Sequence, residues 1–137
     1  MVRVKLDQET LGLSTLMEKI TQARVKDCFR DTDTLYFIVA TGEMGKALGK
    51  GGINVKKMQE ATGKRIRVIE FEEQIEHFVA NVIYPLKVEE IIVEANSVVL
   101  KDSSRKTKSL LIGRESKNLQ LINRAVQRFF NVDVKVV

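Results

Sequence analysis

Three glycines within four residues, Gly49-Lys50-Gly51-Gly52, separate two stretches of helical character. Ala47-Leu48 closes the first stretch, and Ile53-Asn54-Val55-Lys56-Lys57-Met58 opens the second. A helical turn that ends in glycines and restarts at once gathers main-chain N–H groups at one point, with no Cβ in the way. The first, unpaired amides of the next helix aim at the same point. That is an anion site, and Lys50 places a cation inside it. One glycine would suffice for a plain corner between helices. The pattern therefore predicts a phosphate clamp formed by Gly49, Lys50, Gly51 and Gly52. A nucleotide-hydrolysing P-loop does not fit. Only three residues separate Gly45 from Gly49 where four are needed, and Gly51 stands where a Ser or Thr would hold magnesium.

The layout recurs. Gly113 lies 64 residues after Gly49, and the same offset pairs Asn54 with Asn118 and Ala61 with Ala125. It also pairs Leu48 with Ile112, Val55 with Leu119 and Met58 with Ile122. Agreement in type at a fixed spacing is the mark of a structural repeat. Apolar periodicity predicts helices over 8–22, 43–48, 53–62, 73–84, 104–112 and 118–129. In the first, Leu13, Leu16, Met17 and Ile20 make the buried stripe. In the third, Val55, Met58 and Ala61 face inward while Lys56, Lys57 and Glu60 face solvent. Strands are expected over 23–29, 35–39, 65–70, 91–93, 98–100 and 132–137. The resulting order is helix, strand, strand, helix, loop, helix, strand, read twice, which is an α+β fold. The boundary falls near Phe71-Glu72-Glu73 and gives units 1–71 and 72–137. With 137 residues in total, each half is close to the lower limit for a self-sufficient core. No Gly/Ser/Pro-rich linker joins them, so a fixed relation between the units is expected.

The net charge of +5 favours an acidic partner, most commonly nucleic acid. Cys28 is the single cysteine and His77 the single histidine. An intrachain disulfide, a Cys/His zinc site and a Ser-His-Asp triad therefore have no basis. No nucleophile–base pair or metal set is visible, and the reading is a non-enzyme without cofactor. No apolar run approaches the roughly 20 residues that span a bilayer. Met1-Val2-Arg3-Val4-Lys5 lacks a secretory apolar region. A cytoplasmic protein with no membrane or small-molecule partner is expected. Cys28, Met17, Met44 and Met58 read as core, and His77 as a surface or interdomain residue. Neither glycine loop holds an aromatic residue, which argues against an aromatic base-stacking platform.

Leu48-Gly49-Lys50-Gly51-Gly52, then Val55 and Met58, then Thr62-Gly63 and Ile66-Arg67-Val68, resembles a K-homology (KH) domain. Two strands before the helix pair and one after it resemble the prokaryotic, type II order. Thr21-Gln22-Ala23-Arg24-Val25-Lys26-Asp27-Cys28 and Gly42-Glu43-Met44-Gly45-Lys46-Ala47, with two such units filling the chain, resemble the archaeal NusA-like transcription factors. The resemblance implies two tandem type II KH domains, each a three-stranded mixed sheet covered by helices. It implies non-catalytic binding of single-stranded RNA, such as nascent transcript, with a role in termination or antitermination. RNA polymerase is a further candidate partner.

On this reading Gly49, Lys50, Gly51 and Gly52 clamp the RNA backbone. Leu48, Val55 and Ile66 form an apolar floor for bases, edged by Arg65 and Arg67. Gly113, Arg114, Lys117 and Asn118 are the corresponding candidates in the second unit, and the two grooves make one track. The second loop departs from the pattern at Glu115, an acid where a phosphate would pass, and at Ser116, read as a helix N-cap. Weaker binding by the second unit is expected. Asn54 and Asn118 have two open readings: amides that read a base edge or sugar, or ordinary first-turn residues. The basic run Lys101, Arg105, Lys106 and Lys108 is either a solvated face or an RNA contact. Glu72, Glu73, Glu76, Glu89 and Glu90 read as a solvated face turned away from RNA, or as a surface for a protein partner. A ribosome-associated factor of the same fold, and a protein-interaction scaffold with weak RNA affinity, stay open as alternative functions.

Overall fold

Two parallel strands can pair only if a crossover carries the chain back, and here the helices flanking each glycine loop supply it. The computed structural model describes residues 8–137. The reading of the N-terminal Met1-to-Lys5 stretch lies outside the described residues. Main-chain contacts divide the described residues into two compact units, with the boundary between Glu72 and Glu73.

The first unit contains α1 (Gln8–Thr21), β1 (Val25–Arg30), β2 (Thr34–Val39), α2 (Met44–Leu48), α3 (Ile53–Thr62) and β3 (Arg65–Glu70). A single 3-10 turn over Lys50–Gly52 joins α2 to α3. The sheet order is β1-β2-β3, antiparallel then parallel, so β3 is an edge strand. Asp31 N–H donates to Thr34 O at 2.9 Å and closes the hairpin. Met17, Cys28, Leu35, Phe37, Val39, Ala47, Met58 and Val68 form the core between sheet and helices. Cys28 is fully buried, as its reading as a small hydrophobe expects.

Two details depart from the sequence reading. The strand expected over 23–29 reads as alternating at Val25, Asp27 and Phe29, but a bulge lies between Val25 and Asp27, and Asp27, Cys28 and Phe29 are all buried. Ala61, expected to face inward, is exposed. It falls in the last turn of α3, past the buried contact at Met58. That helix ends one residue later at Thr62, and the left-handed backbone of Gly63 (φ 70°) turns its N–H onto Gln59 O. Ala125, its counterpart in the second unit, is buried.

The second unit repeats the order with α4 (Ile75–Ile83), β4 (Glu90–Val93), β5 (Ser97–Lys101), α5 (Arg105–Ile112), α6 (Lys117–Gln127) and β6 (Asp133–Val136). Its sheet, β4-β5-β6, is again antiparallel then parallel. Buried residues include Phe78, Val82, Val98, Leu100, Leu111, Ile122 and Val134. The Phe78 ring meets Phe129 edge-on at 5.6 Å. Ser104 caps α5 by accepting the Thr107 N–H at 3.2 Å. Part of the acidic cluster has structural work. The Glu89 carboxylate accepts from the Ser103 N–H and hydroxyl, while Asp102 accepts from the Glu89 N–H. The architecture is α+β, with two three-stranded mixed sheets. No helix among the described residues is long and apolar enough to cross a membrane.

Candidate nucleic-acid interface

The first loop is shaped by its main chain. Gly49 sits at φ 72°, ψ 169°, a region essentially closed to residues with a Cβ. Gly51 (φ 65°, ψ 18°) and Gly52 (φ 75°, ψ 19°) follow in the left-handed region. A Cβ built at Gly49 would lie 2.8 Å from the Asn54 side chain, whereas Gly51 and Gly52 have open space where a Cβ would stand. The tip thus presents bare backbone outward, with exposed Lys50 beside it.

Asn54 explains why the loop keeps this shape. Its Nδ2 donates to Lys46 O at 2.8 Å, tying α3 to the C-terminal carbonyls of α2. Asn118 does the same in the second unit, donating to Leu110 O at 3.2 Å and Leu111 O at 2.9 Å. A Cβ at Gly113 would lie 2.8 Å from Asn118 Cβ. The Gly-Asn spacing shared by the two loops is therefore a pair of fasteners that hold each helix pair at its angle.

The second loop follows the same path with different residues. Gly113 is at φ 75°, ψ 171°, Glu115 at φ 56°, ψ 31°, and Ser116 at φ 61°, ψ 18°. Two residues with side chains hold a conformation that costs roughly 1–2 kcal/mol each. Ser116 makes no capping hydrogen bond, contrary to its reading as an N-cap. A capping residue needs an extended backbone to turn its oxygen onto the helix, and Ser116 is left-handed. Arg114, Glu115 and Lys117 are all exposed at this tip. In the basic run, Lys101, Arg105 and Lys106 are exposed and Lys108 is half-buried.

Leu48, Val55 and Ile66 are brought together, half-buried, against the first unit's core cluster. Arg65 and Arg67, expected to edge that floor, alternate onto the opposite face of β3. Arg67 pairs with Tyr36 in the sheet register, on the face away from Ile66. Burial lowers the Arg67 pKa from its usual value, and Tyr36 acts against that shift. Burial, then the Asp31 carboxylate, raises the Tyr36 phenol above its ordinary 10.0, while Arg67 lowers it. The Tyr36 ring stacks on Phe29 at 5.0 Å.

In the second unit an open groove of about 820 Å³ runs between α6 and the edge strand β6. Leu119, Asn123, Gln127, Val134 and Lys135 line it, with Ser116 of the loop at one end. Sequence reasoning passed over Asn123 and Gln127. The signal was present, because they follow Leu119 at four-residue steps and so share its face.

The KH domain profile matches residues 14–73. The chain is 33% identical over 134 residues to a Halococcus morrhuae protein called probable transcription termination protein NusA, covering 96% of each. A protein of that name from Methanococcus vannielii is 35% identical over 128 residues, 91% of this chain and 72% of the other. The chain belongs to the archaeal NusA-like family of KH proteins. This NusA-like chain also superposes on the crystal structure of APE1850 with a TM-score of 0.78 and 31% identity, over 96% of this chain and 99% of that one. The profile match takes in the first loop of the NusA-like chain and ends at residue 73, so it does not reach the second loop. The full-length relatives do.

Proposed function

We propose that this chain is a non-catalytic, cytoplasmic binder of single-stranded RNA, built as two tandem type II KH domains, and that it acts on nascent transcript in termination or antitermination. The observation that carries the reading is the loop backbone. Both units hold the same glycine-type path between two helices, and the second holds it with Glu115 and Ser116 at an energetic cost. Strain that persists away from the core points to a use for the conformation. Each loop tip lies at the N-terminal end of a long helix, beside an exposed cation, Lys50 or Arg114, and the helix dipole and that cation suit a phosphate. Leu48, Val55 and Ile66 are the floor on which bases lie. Arg65 and Arg67, which lie on the opposite face of β3 from Ile66, are not part of that floor. The names borne by the relatives support the role in transcription, and contact with RNA polymerase belongs to the same proposal.

The test is the double substitution Gly51→Asp, Gly52→Asp in the full chain. It places two carboxylates where a phosphate would sit. Loss of oligoribonucleotide binding by a variant with unchanged circular dichroism is expected. Unchanged affinity in that folded variant would favour a protein-interaction scaffold instead.

A further inference from the structure

The two edge strands differ in a way the loops do not. In a parallel ladder, alternate residues turn both their N–H and C=O groups to the same neighbour, and the residues between turn theirs away. Arg65 N–H donates to Asp33 O at 3.1 Å and Phe71 N–H to Val39 O at 2.8 Å, so odd-numbered residues of β3 bond to β2. The main-chain groups of Ile66 therefore point off the free edge, beside the apolar floor. In β6 the same logic holds. Asp133 N–H donates to Asn96 O at 3.0 Å and Val137 N–H to Leu100 O at 3.0 Å, so Val134 points off the free edge.

Val134, however, has a partner. Asn123 Oδ1 accepts its N–H at 2.8 Å, and Asn123 Nδ2 donates to its C=O at 3.1 Å. One carboxamide takes both groups. Gln127 braces it, donating to Asn123 Oδ1 at 3.3 Å and to Val132 O at 3.0 Å. The residue 64 positions earlier, on the same turn of α3, is Gln59. It carries the same chemistry on a longer stem, yet it is exposed. The second unit takes four more residues to reach its edge strand, twelve from Ile122 to Val134 against eight from Met58 to Ile66. That longer helix–strand segment accompanies the Asn123 contact on β6.

An acceptor next to a donor is also what the hydrogen-bonding edge of a nucleobase offers. We infer that Asn123 is a built-in occupant of the second groove, holding the strand-edge position that the first groove leaves open at Ile66 for a base. The first unit then reads a base by main-chain hydrogen bonds. The second unit holds RNA through phosphates at Arg114, Lys117 and its loop amides, without base reading at Val134. This rests on the RNA-binding reading above and assigns the two units different parts in it.

Nitrogen-15 NMR of the full chain tests it in two arms. Without RNA, amide hydrogen exchange should be slower at Val134 than at Ile66, and Asn123→Ala should remove the difference. With RNA, the probes are a short mixed-sequence oligoribonucleotide and its abasic counterpart, which keeps the phosphates and lacks bases. The Ile66 amide should shift with the first and not the second, and Val134 with neither. In Asn123→Ala, Val134 should respond to the base-bearing strand, with affinity up about threefold to tenfold. Val134 exchanging as fast as Ile66 in the wild-type chain, or shifting with RNA as much as Ile66, overturns the inference. Both of those readings need no variant. If Gly51 and Ile66 stay unmoved by either strand, the RNA reading fails and takes the proposed ligand with it. The exchange contrast would then stand as a structural fact only.

Discussion

Glu115 carries two burdens that one substitution can separate. Its backbone (φ 56°, ψ 31°) lies in the left-handed region, at a cost of roughly 1–2 kcal/mol for a residue with a Cβ. Glycine removes that cost and loses about 0.4–1 kcal/mol through the greater freedom of the unfolded chain. The net expectation for Glu115→Gly is a gain of about 0.5–1 kcal/mol. The carboxylate also stands at the exposed tip where the second loop would meet a phosphate. A charge about 5–8 Å from a phosphate in water's dielectric weakens binding roughly two- to fourfold. Glu115→Gln keeps the strain and removes the charge. Urea unfolding followed through resonances of the second unit reads stability, and fluorescence anisotropy with a labelled oligoribonucleotide reads affinity. Gln should raise affinity without stabilising, and Gly should do both. If Glu115→Gly destabilises the second unit, the strain argument is wrong. If neither variant raises affinity at low salt, the second loop is not a phosphate contact.

Lys50→Glu should weaken RNA binding more than Arg114→Glu, because Lys50 stands in the loop without a neighbouring acid. For about four to five neutralised phosphates, log affinity should fall against log salt with a slope of roughly −3, and neutralising Lys50 should flatten it by about 0.7. A slope near zero, or equal losses in the two folded variants, would contradict this ranking. Alkaline pH offers a separate check on the first unit. Tyr36 is raised above its ordinary 10.0, chiefly by burial and then by Asp31. The unfolded chain therefore releases that proton first. Stability is fully present below the ordinary value and falls as pH climbs from there through the folded value. Tyr36→Phe should lessen this alkaline decline in urea midpoints. An identical decline in both proteins would show that the phenol is not the group responsible.

Most of the element order was legible because both periodicities were clean and the repeat let each half check the other. The failures share a cause, which is that they turn on what packs over an element or which way a side chain points. Ala61 and Ala125 look equivalent in sequence, but one is exposed and one buried, a difference in the packing over each helix that the repeat does not encode. Arg65 and Arg67 bracket Ile66, and a strand period of two sets them on the other face. That was readable and was passed over in favour of basic charge near a groove. Ser116 has the chemistry of a cap, but the repeat puts it on the path of Gly52, where the backbone forbids capping. Asn54 was left between two readings, and neither names its bond to the carbonyl of Lys46. That bond depends on the crossing of two helices, which no local pattern encodes.

The repeat keeps its main-chain geometry and changes what side chains add to it, and those additions act on separable terms. On the proposed reading Lys50, Arg114 and Glu115 act on phosphates, so their effects should shrink as salt rises. The edge groups of Ile66, and of Val134 behind Asn123, would act on uncharged base edges, so their effects should persist at high salt. A loop variant should therefore change the slope of affinity against salt, whereas a change at the strand edge should move the whole line without tilting it. Two units with one backbone can in this way divide the work, one setting which strand is held and the other how firmly. A strand-edge variant that tilted the salt response would mean that bases and phosphates are not read by separate parts of the groove.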